Sequence, residues 1–148
     1  MADPKGFLKA GRQVAARRPV EERLHDWNEV YPDGIGRALL PIVGTQSGRC
    51  MDCGIPFCHS GCPLGNVIPE FNDAVYRGEW KEAYEILVST NNFPEFTGRI
   101  CPAPCESACV LGINQPPVAI EEIEKHIIEI AFDKGFVQAR KINKRTGK

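Results

Sequence analysis

The chain has 148 residues and a net charge of −1, with acidic and basic residues interspersed. This length suits one domain with a core of limited size. The charge pattern indicates neither a nucleic-acid surface nor a membrane surface, and no apolar segment is long enough to span a bilayer. Because the amino terminus does not resemble a signal peptide, we expect a cytoplasmic protein.

The first part of the chain is predicted to contain an arm and one helix. Residues 1–18 are basic and contain glycine, which favours an irregular arm along the surface. Pro19 suits the first turn of a helix that continues to Tyr31. Apolar residues recur in this segment at helical spacing and are predicted to face the core: Val20, Leu24, Trp27 and Tyr31.

The rest of the chain is also predicted to be helical, because no segment has the pattern of a strand. Four helices are expected, over residues 67–77, 79–89, 104–110 and 118–134. Asn66 is the expected cap of the first of these helices, and Gly135 ends the last. Residues 136–148 form a basic tail, which we interpret as a linker.

All seven cysteines lie in two clusters. The first cluster has the spacing C-x2-C-x4-C-x3-C-P and the second has the spacing C-P-x2-C-x3-C. The odd number of cysteines and the expected reducing compartment argue against disulfides, and structural zinc sites favour two separated pairs. A close run that ends in C-P is typical of ferredoxins with two iron–sulfur clusters. The pattern therefore favours iron–sulfur chemistry, with zinc as the alternative.

In such ferredoxins the last cysteine of a run binds the other iron–sulfur cluster. By this crossed arrangement one cluster is expected on Cys50, Cys53, Cys58 and Cys109. The other cluster is expected on Cys62, Cys101 and Cys105, of which Cys105 is predicted to share a helix face with Cys109. Two four-iron clusters need eight ligands, so either the second centre has three irons or a harder ligand completes it.

The last predicted helix offers a candidate for that ligand. At about 100° per residue, one face carries a stripe of isoleucines and one alanine: Ile120, Ile123, Ile127, Ile130 and Ala131. Most of the charged residues fall on the opposite face: Glu121, Glu122, Lys125 and Glu129. Glu124 instead lies within the apolar stripe, where a carboxylate is costly unless it is paired or bound to a metal.

Two interpretations of Glu124 stay open on this pattern. It could form an ion pair, for which Arg99 is the candidate partner, or it could be the eighth ligand. His59 and His126 are the rival ligands, although either histidine is more often solvated or hydrogen-bonded.

The segments around the cysteines resemble the amino-terminal region of the small (beta) subunit of bacterial NADPH-dependent glutamate synthase. The likeness covers essentially the whole chain and includes Gly6-Phe-Leu8 and Arg18-Pro-Val-Glu-Glu-Arg23. A more distant likeness is to the helical iron–sulfur domain of dihydropyrimidine dehydrogenase. The segments that carry the resemblance are Cys50-Met-Asp-Cys53-Gly-Ile-Pro-Phe-Cys58-His-Ser-Gly-Cys62-Pro-Leu-Gly-Asn66 and Asn91-Asn-Phe-Pro-Glu-Phe-Thr-Gly-Arg-Ile-Cys101-Pro-Ala-Pro-Cys105-Glu-Ser-Ala-Cys109-Val-Leu-Gly-Ile-Asn114.

The resemblance implies a single, mostly α, helical ferredoxin-like domain over residues 1–148 that holds two 4Fe–4S clusters. In the dehydrogenase relative the eighth ligand is a glutamine on the helix after the second cysteine cluster. That position falls on Glu124, so this chain has a carboxylate where the relative has an amide. A carboxylate is a harder donor than a thiolate, and we therefore expect the two clusters to have unequal midpoint potentials.

The resemblance also implies a function in electron transfer. In that family, electrons pass from NADPH through FAD and the clusters to the large (alpha) subunit, where FMN reduces 2-iminoglutarate to glutamate. This chain has no G-x-G-x-x-G segment and stops near Lys148, where the family begins its first flavin-binding strand. FAD and NADPH are therefore expected only in downstream flavin-binding domains, with no catalytic centre in this segment.

Two other functions remain open. The domain could relay electrons for another flavoprotein oxidoreductase, or zinc could staple it into an interaction module. Apolar residues beside the cysteines are candidates for a shell that insulates the clusters, and each could also be ordinary core: Ile55, Phe57, Leu64, Ile100, Val110 and Leu111.

Overall fold

The computed structural model describes residues 3–32, 40–139 and 147. These residues form nine α-helices and one 3₁₀ helix, Val110–Ile113. The α-helices are α1 Gly6–Lys9, α2 Val20–Arg23, α3 Leu40–Ser47, α4 Phe57–Gly61, α5 Ile68–Tyr76, α6 Trp80–Val88, α7 Pro94–Ile100, α8 Pro104–Ser107 and α9 Ile120–Asp133. The described part of the chain contains no strand, which confirms the mostly α prediction. None of its helices is long and apolar enough to cross a membrane.

The core lies between α9 and the helical hairpin of α5 and α6. Gly78 has a positive φ of 79°, a conformation that glycine adopts readily, and it separates the two helices of the hairpin. Phe71 of α5, Leu87 of α6 and Ile123 of α9 are all fully buried in one apolar cluster. The predicted helices over residues 67–77, 79–89 and 118–134 are therefore confirmed, with ends that differ by one or two residues.

Helix α7 packs against α9 at a glycine. A Cβ atom on Gly98 would lie 2.9 Å from Cβ of Lys125 and 3.0 Å from its Cα. On the same side, the guanidinium of Arg99 binds Glu129 at 2.6 Å and Glu29 at 3.2 Å. The charged face of α9, opposite the isoleucine stripe, is therefore covered by α7, and Lys125 is only 1% exposed.

The amino-terminal arm is held against the body by side-chain contacts. Arg12 binds Glu106 at 2.6 Å, and Arg17 binds Glu121 at 3.0 Å. Buried Arg49 donates to the carbonyl oxygen of Ala10 at 3.0 Å and to the carbonyls of the segment before α9. The arm thus connects the start of the first cysteine run with the start of α9.

The predicted helix from Pro19 to Tyr31 is wrong, because α2 ends at Arg23. The carboxylate of Asp26 accepts hydrogen bonds from Arg18 and from the backbone N–H of Asn28, and such local bonds compete with a helix. The apolar residues of this segment divide accordingly: Val20, Leu24 and Trp27 are exposed, and Tyr31 is buried.

Other differences from the predicted elements concern short segments. Helix α3, like α1, α4 and α7, lies where no helix was predicted. The predicted helix over residues 104–110 is wrong, because α8 ends at Ser107 and Cys109 is extended, with φ −64° and ψ 123°. Gly135 ends α9 with a φ of 70°, and most of the predicted linker over residues 136–148 lies outside the described residues.

The close approach of α7 and α9 predicts a difference between two helical glycines. Gly98→Ala should lower the free energy of unfolding by about 1–3 kcal/mol, because the new methyl group meets the backbone of Lys125. Gly44→Ala in α3 is the control, since a Cβ there meets nothing within 4 Å among the described residues. Its expected effect is a gain of up to about 1 kcal/mol from helix propensity. Chemical denaturation of both variants measures the difference, and equal effects would contradict the packing described.

Candidate metal centres

The cysteines line two separate cavities. The first cavity is lined by Cys50, Cys53, Cys58 and Cys109. It is narrow, about 20 Å³, and most of its other lining residues are apolar. One buried amide, Asn72, also lines it. The four residues predicted to hold one cluster are thus brought together.

The second cavity is wider, about 190 Å³, and the remaining three cysteines line it. These are Cys62, Cys101 and Cys105, and Glu124 lines the same cavity. The side chains predicted for the second cluster are therefore also adjacent, and Glu124 completes a set of four donors.

Helices α4 and α8 explain why the two sets cross. Cys58 lies in α4 and Cys62 directly follows it, so this five-residue helix separates a thiol of one cavity from a thiol of the other. Cys105 lies in α8 and Cys109 follows that helix in the same way. Because the two helices pack against each other, each cavity takes thiols from both cysteine runs.

Gly61 permits the contact between α4 and α8. A Cβ atom at this position would lie 2.5 Å from Cβ of Ala108 and 3.2 Å from the carbonyl oxygen of Pro104. Real Cβ atoms do not approach so closely, so a larger residue would have to move one helix.

Among the described residues, two that are not glycine have a left-handed backbone conformation, and both lie between cysteines. Asp52 has a φ of 51° between Cys50 and Cys53, and Ala103 has a φ of 50° between Cys101 and Cys105. Such conformations cost roughly 1–3 kcal/mol each. At the second site the backbone N–H of Ala103 also points to Sγ of Cys101, at 3.4 Å. Both cysteine loops thus hold backbone strain where the thiols converge.

Burial raises the pKa of five thiols: Cys50, Cys53, Cys58, Cys101 and Cys105. It raises the pKa of Cys50 to about 12 and that of Cys58 to about 11. Since a thiolate is the ligand form, metal binding at these cysteines must displace protons.

Glu124 is only 6% exposed, and its pKa is raised by burial to about 7. Asn66 donates from Nδ2 to Oε1 of Glu124 at 2.9 Å, which favours the charged form. Of the two interpretations left open for Glu124, the ion pair with Arg99 is wrong, because Arg99 binds Glu29 and Glu129 instead. Within the described ranges, Glu124 has no cationic partner.

Glu121 also lines the second cavity, which the sequence pattern did not predict. Nη2 of Arg17 donates to both oxygens of the Glu121 carboxylate, at 3.2 Å and 3.0 Å. The two carboxylates of this cavity therefore differ: Glu121 is paired with a cation, and Glu124 is bound only by an amide.

The two histidines lie in other environments. Nε2 of His59 accepts a hydrogen bond from the backbone N–H of Ile68 at 2.9 Å. His126 is buried, and its Nδ1 lies 2.6 Å from the carbonyl oxygen of Glu122. Neither histidine is among the residues that line the two cavities.

The donor chemistry fits iron–sulfur clusters. Among the described residues, no three His, Cys, Asp or Glu side chains are placed to hold a single metal ion. A four-iron cluster is instead held by thiolates distributed around it, and soft thiolates in an apolar lining suit such a cluster. Both cavities have this arrangement of donors around a space.

The residues beside the cysteines are mostly at the surface. Ordinary core is therefore the wrong interpretation for four of the six candidates: Ile55, Phe57, Leu64 and Ile100 are 48–76% exposed. Leu111 is buried and Val110 is half-buried.

The approach of α4 to α8 predicts that both cavities depend on Gly61. We expect Gly61→Ala to lower the iron bound per chain at both centres, because the added methyl group forces the two helices apart. Gly54→Ala is the matched control, since it lies next to Cys53 but a Cβ there meets nothing within 4 Å among the described residues. Iron assay of the two variants, purified anaerobically, measures the effect. Normal iron content in Gly61→Ala would contradict the shared-helix arrangement.

Comparison with known proteins identifies the family. The chain is 62% identical over 148 residues to the glutamate synthase (NADPH) small chain of Mycobacterium tuberculosis. The matched segment covers 99% of this chain and 30% of that protein. The chain is 50% identical over 157 residues to the same-named protein of Bacillus subtilis, covering 100% of this chain and 31% of that one. It is also 46% identical over 145 residues to the glutamate synthase (NADH) of Saccharomyces cerevisiae, covering 97% and 7% of the two chains.

The chain thus spans less than a third of the length of these relatives. The sequence pattern of a 4Fe–4S family, dihydropyrimidine dehydrogenase domain II, matches residues 37–136, which is more than half of the chain. That match favours iron–sulfur chemistry over the zinc alternative. The chain belongs to the family of dihydropyrimidine dehydrogenase domain II, a domain with a 4Fe–4S cluster.

Proposed function

We propose that this chain is the electron-transfer domain of a glutamate synthase small chain and that it holds two 4Fe–4S clusters. The observation that carries the proposal is the distribution of eight donors between two cavities. Cys50, Cys53, Cys58 and Cys109 line the first. Three cysteines and Glu124 line the second, together with Glu121, which is paired with Arg17. Two four-iron clusters need this number of ligands if each iron takes one.

The ligands of the second cluster are proposed to be Cys62, Cys101, Cys105 and Glu124. Glu124 is favoured over Glu121 because Arg17 already binds the carboxylate of Glu121. It is favoured over His59 because the backbone of Ile68 already donates to Nε2 of that histidine.

A bound iron–sulfur cluster accepts and donates single electrons. The contribution of this chain is to hold the two centres on the shared pair α4 and α8, at a fixed separation, and to surround the first with apolar side chains. No residue of the described chain is proposed to convert a substrate. NADPH and FAD are proposed to bind in the portion of the small chain that this sequence does not include.

The proposed partners are the flavin-binding domains of the small chain and the large subunit of glutamate synthase. Exposed apolar residues next to the proposed ligands support a covering partner, since such residues are usually shielded in assemblies. Ile55 lies between two ligands of the first cavity, and Ile100 precedes a ligand of the second. The proposed location is the cytoplasm, where thiols stay reduced.

A relay that serves a different flavoprotein is the second candidate. The family to which the chain belongs is described from dihydropyrimidine dehydrogenase, which is a different enzyme from glutamate synthase. The greater identity to glutamate synthase small chains over nearly the whole chain favours the first candidate.

The two candidates are separated by mixing the cluster-loaded chain, reduced with dithionite, with the large subunit of glutamate synthase. The proposal predicts that glutamine and 2-oxoglutarate reoxidise the iron–sulfur clusters and that glutamate forms, when excess dithionite has been removed. Loaded chain carrying Cys105→Ser is the control, because it disrupts one of the two centres. Reoxidation by another flavoprotein, with none by the large subunit, would favour the second candidate.

The assignment of Glu124 predicts unequal midpoint potentials. Glu124→Cys should lower the midpoint potential of one cluster only, because a thiolate donates more charge to iron than a carboxylate does. We expect a roughly tenfold fall in its reduced-to-oxidised ratio at a fixed potential, about 59 mV for one electron. An EPR-monitored redox titration measures both centres.

The control for this prediction is Glu121→Gln, which changes the other carboxylate of the same cavity. This variant removes the ion pair with Arg17. It should leave both midpoint potentials close to those of the unchanged protein. Equal potentials for the two clusters, unmoved by Glu124→Cys, would show that Glu124 is not a ligand.

A further inference from the structure

The buried amide of Asn66 connects Glu124 to a hydroxyl group. Asn66 is 1% exposed and lines the second cavity. Its Nδ2 donates to Oε1 of Glu124 at 2.9 Å, and its Oδ1 accepts from Oγ1 of Thr90 at 2.8 Å. Both ends of the amide are therefore engaged, one with the carboxylate and one with the hydroxyl.

The backbone places Asn66 in this position without using it as a helix cap. The sequence predicted that Asn66 caps α5, but Val67 occupies the cap position and no side chain caps that helix. Gly65, with a φ of 66°, turns the chain after Cys62, and its N–H donates to the carbonyl oxygen of that cysteine. The turn brings the side chain of Asn66 from the cysteine run to α9.

The carboxylate of Glu124 and the hydroxyl of Thr90 together orient the amide. An ionised carboxylate only accepts hydrogen bonds, so the NH₂ group of Asn66 faces Glu124. The hydroxyl of Thr90, which has one hydrogen, lies nearer to Oδ1 of Asn66, at 2.8 Å, than to the carbonyl oxygen of Leu87, at 3.5 Å. A flipped amide would place its oxygen against the carboxylate and lose the hydrogen bond to Glu124, and Thr90 could then only accept from the amide.

We propose that Thr90 and Asn66 are positioning residues that hold Glu124 as a one-oxygen ligand and set the potential of the second cluster. The inference rests on the proposed role of Glu124. The amide of Asn66 engages Oε1, and Oε2 accepts no hydrogen bond from the described residues, so Oε2 is the oxygen that we assign to iron. An N–H bond to a ligand withdraws charge from it, and partners of this kind orient the ligand and tune the metal.

The first cavity has no equivalent connection. Its buried amide, Asn72, donates to the carbonyl oxygen of Ile68 in its own helix and reaches no carboxylate among the described residues. Disturbing Thr90 should therefore affect one cluster and leave the other unchanged.

The direct test is Thr90→Val, which removes the hydroxyl and keeps the shape of the side chain. Without that hydrogen bond the amide is no longer held toward Glu124, and the carboxylate donates more charge to iron. The reduced-to-oxidised ratio of the second cluster at a fixed potential should fall three- to tenfold, and the first cluster should not change. Thr90→Ser retains the hydroxyl and should restore the original ratio.

The matched control is Thr97→Val. Thr97 lines the same cavity, and its hydroxyl accepts from Nδ2 of Asn91 at 2.8 Å without contacting Glu124. Thr97→Val should change the reduced-to-oxidised ratio less than twofold at either cluster. If Thr90→Val has no more effect than Thr97→Val in loaded protein, the role of Thr90 and Asn66 is overturned.

A double variant separates this inference from the role of Glu124. Added to Glu124→Cys, Thr90→Val should produce no further change in the ratio, because the side-chain oxygen that Asn66 binds is absent. An equal effect in both backgrounds would overturn the connection while leaving Glu124 a ligand. If Glu124→Cys by itself changes neither cluster, the proposed ligand fails instead. If Thr90→Val does not bind its iron–sulfur clusters, Asn66→Leu is used in the same titration. It is expected to lower the reduced-to-oxidised ratio at least as much, and no change in that ratio would overturn the proposal.

Discussion

The contact between α4 and α8 is the constraint on which the two centres depend. Each helix is only four or five residues long, and each has a cysteine of one cavity near its start and a cysteine of the other after its end. Two helices that share both centres in this way leave little freedom to move either one. Gly61 allows the approach, because any side chain there would collide with Ala108. The fold outside this pair supplies a core and holds the second carboxylate in place.

The electrostatic environment distinguishes the two cavities. The first is lined almost entirely by thiols and apolar side chains, whereas the second has two carboxylates and two buried amides, Asn66 and Asn91. In the second, Arg17 neutralises Glu121, and Glu124 is left with an amide donor in a buried position. A buried carboxylate without a cation is unfavourable by several kcal/mol in general, which is the physical reason to expect a metal at Glu124.

The sequence predicted the helical class, the two sets of cysteines and the unusual position of Glu124, because cysteine spacing and helical periodicity are local signals. It failed where distant contacts decide the structure. The segment that ends at Tyr31 has helical spacing, but Arg18 and Asp26 close it into a loop. The charged face of α9 was predicted from periodicity, but periodicity did not indicate that α7 covers it at Lys125, where Gly98 lies opposite. The hydrogen bond from Asn66 to Glu124 joins residues 58 positions apart, and no local pattern indicates it.

The central claim is that seven cysteines and one carboxylate hold two four-iron clusters. The measurement that tests it most directly is iron and acid-labile sulfide per chain in anaerobically purified protein, with EPR before and after dithionite. The account predicts about eight irons and eight sulfides, with a signal only after reduction. About seven irons with a signal in the oxidised protein would mean a three-iron centre and no bond from Glu124. Zinc without sulfide would contradict the account altogether.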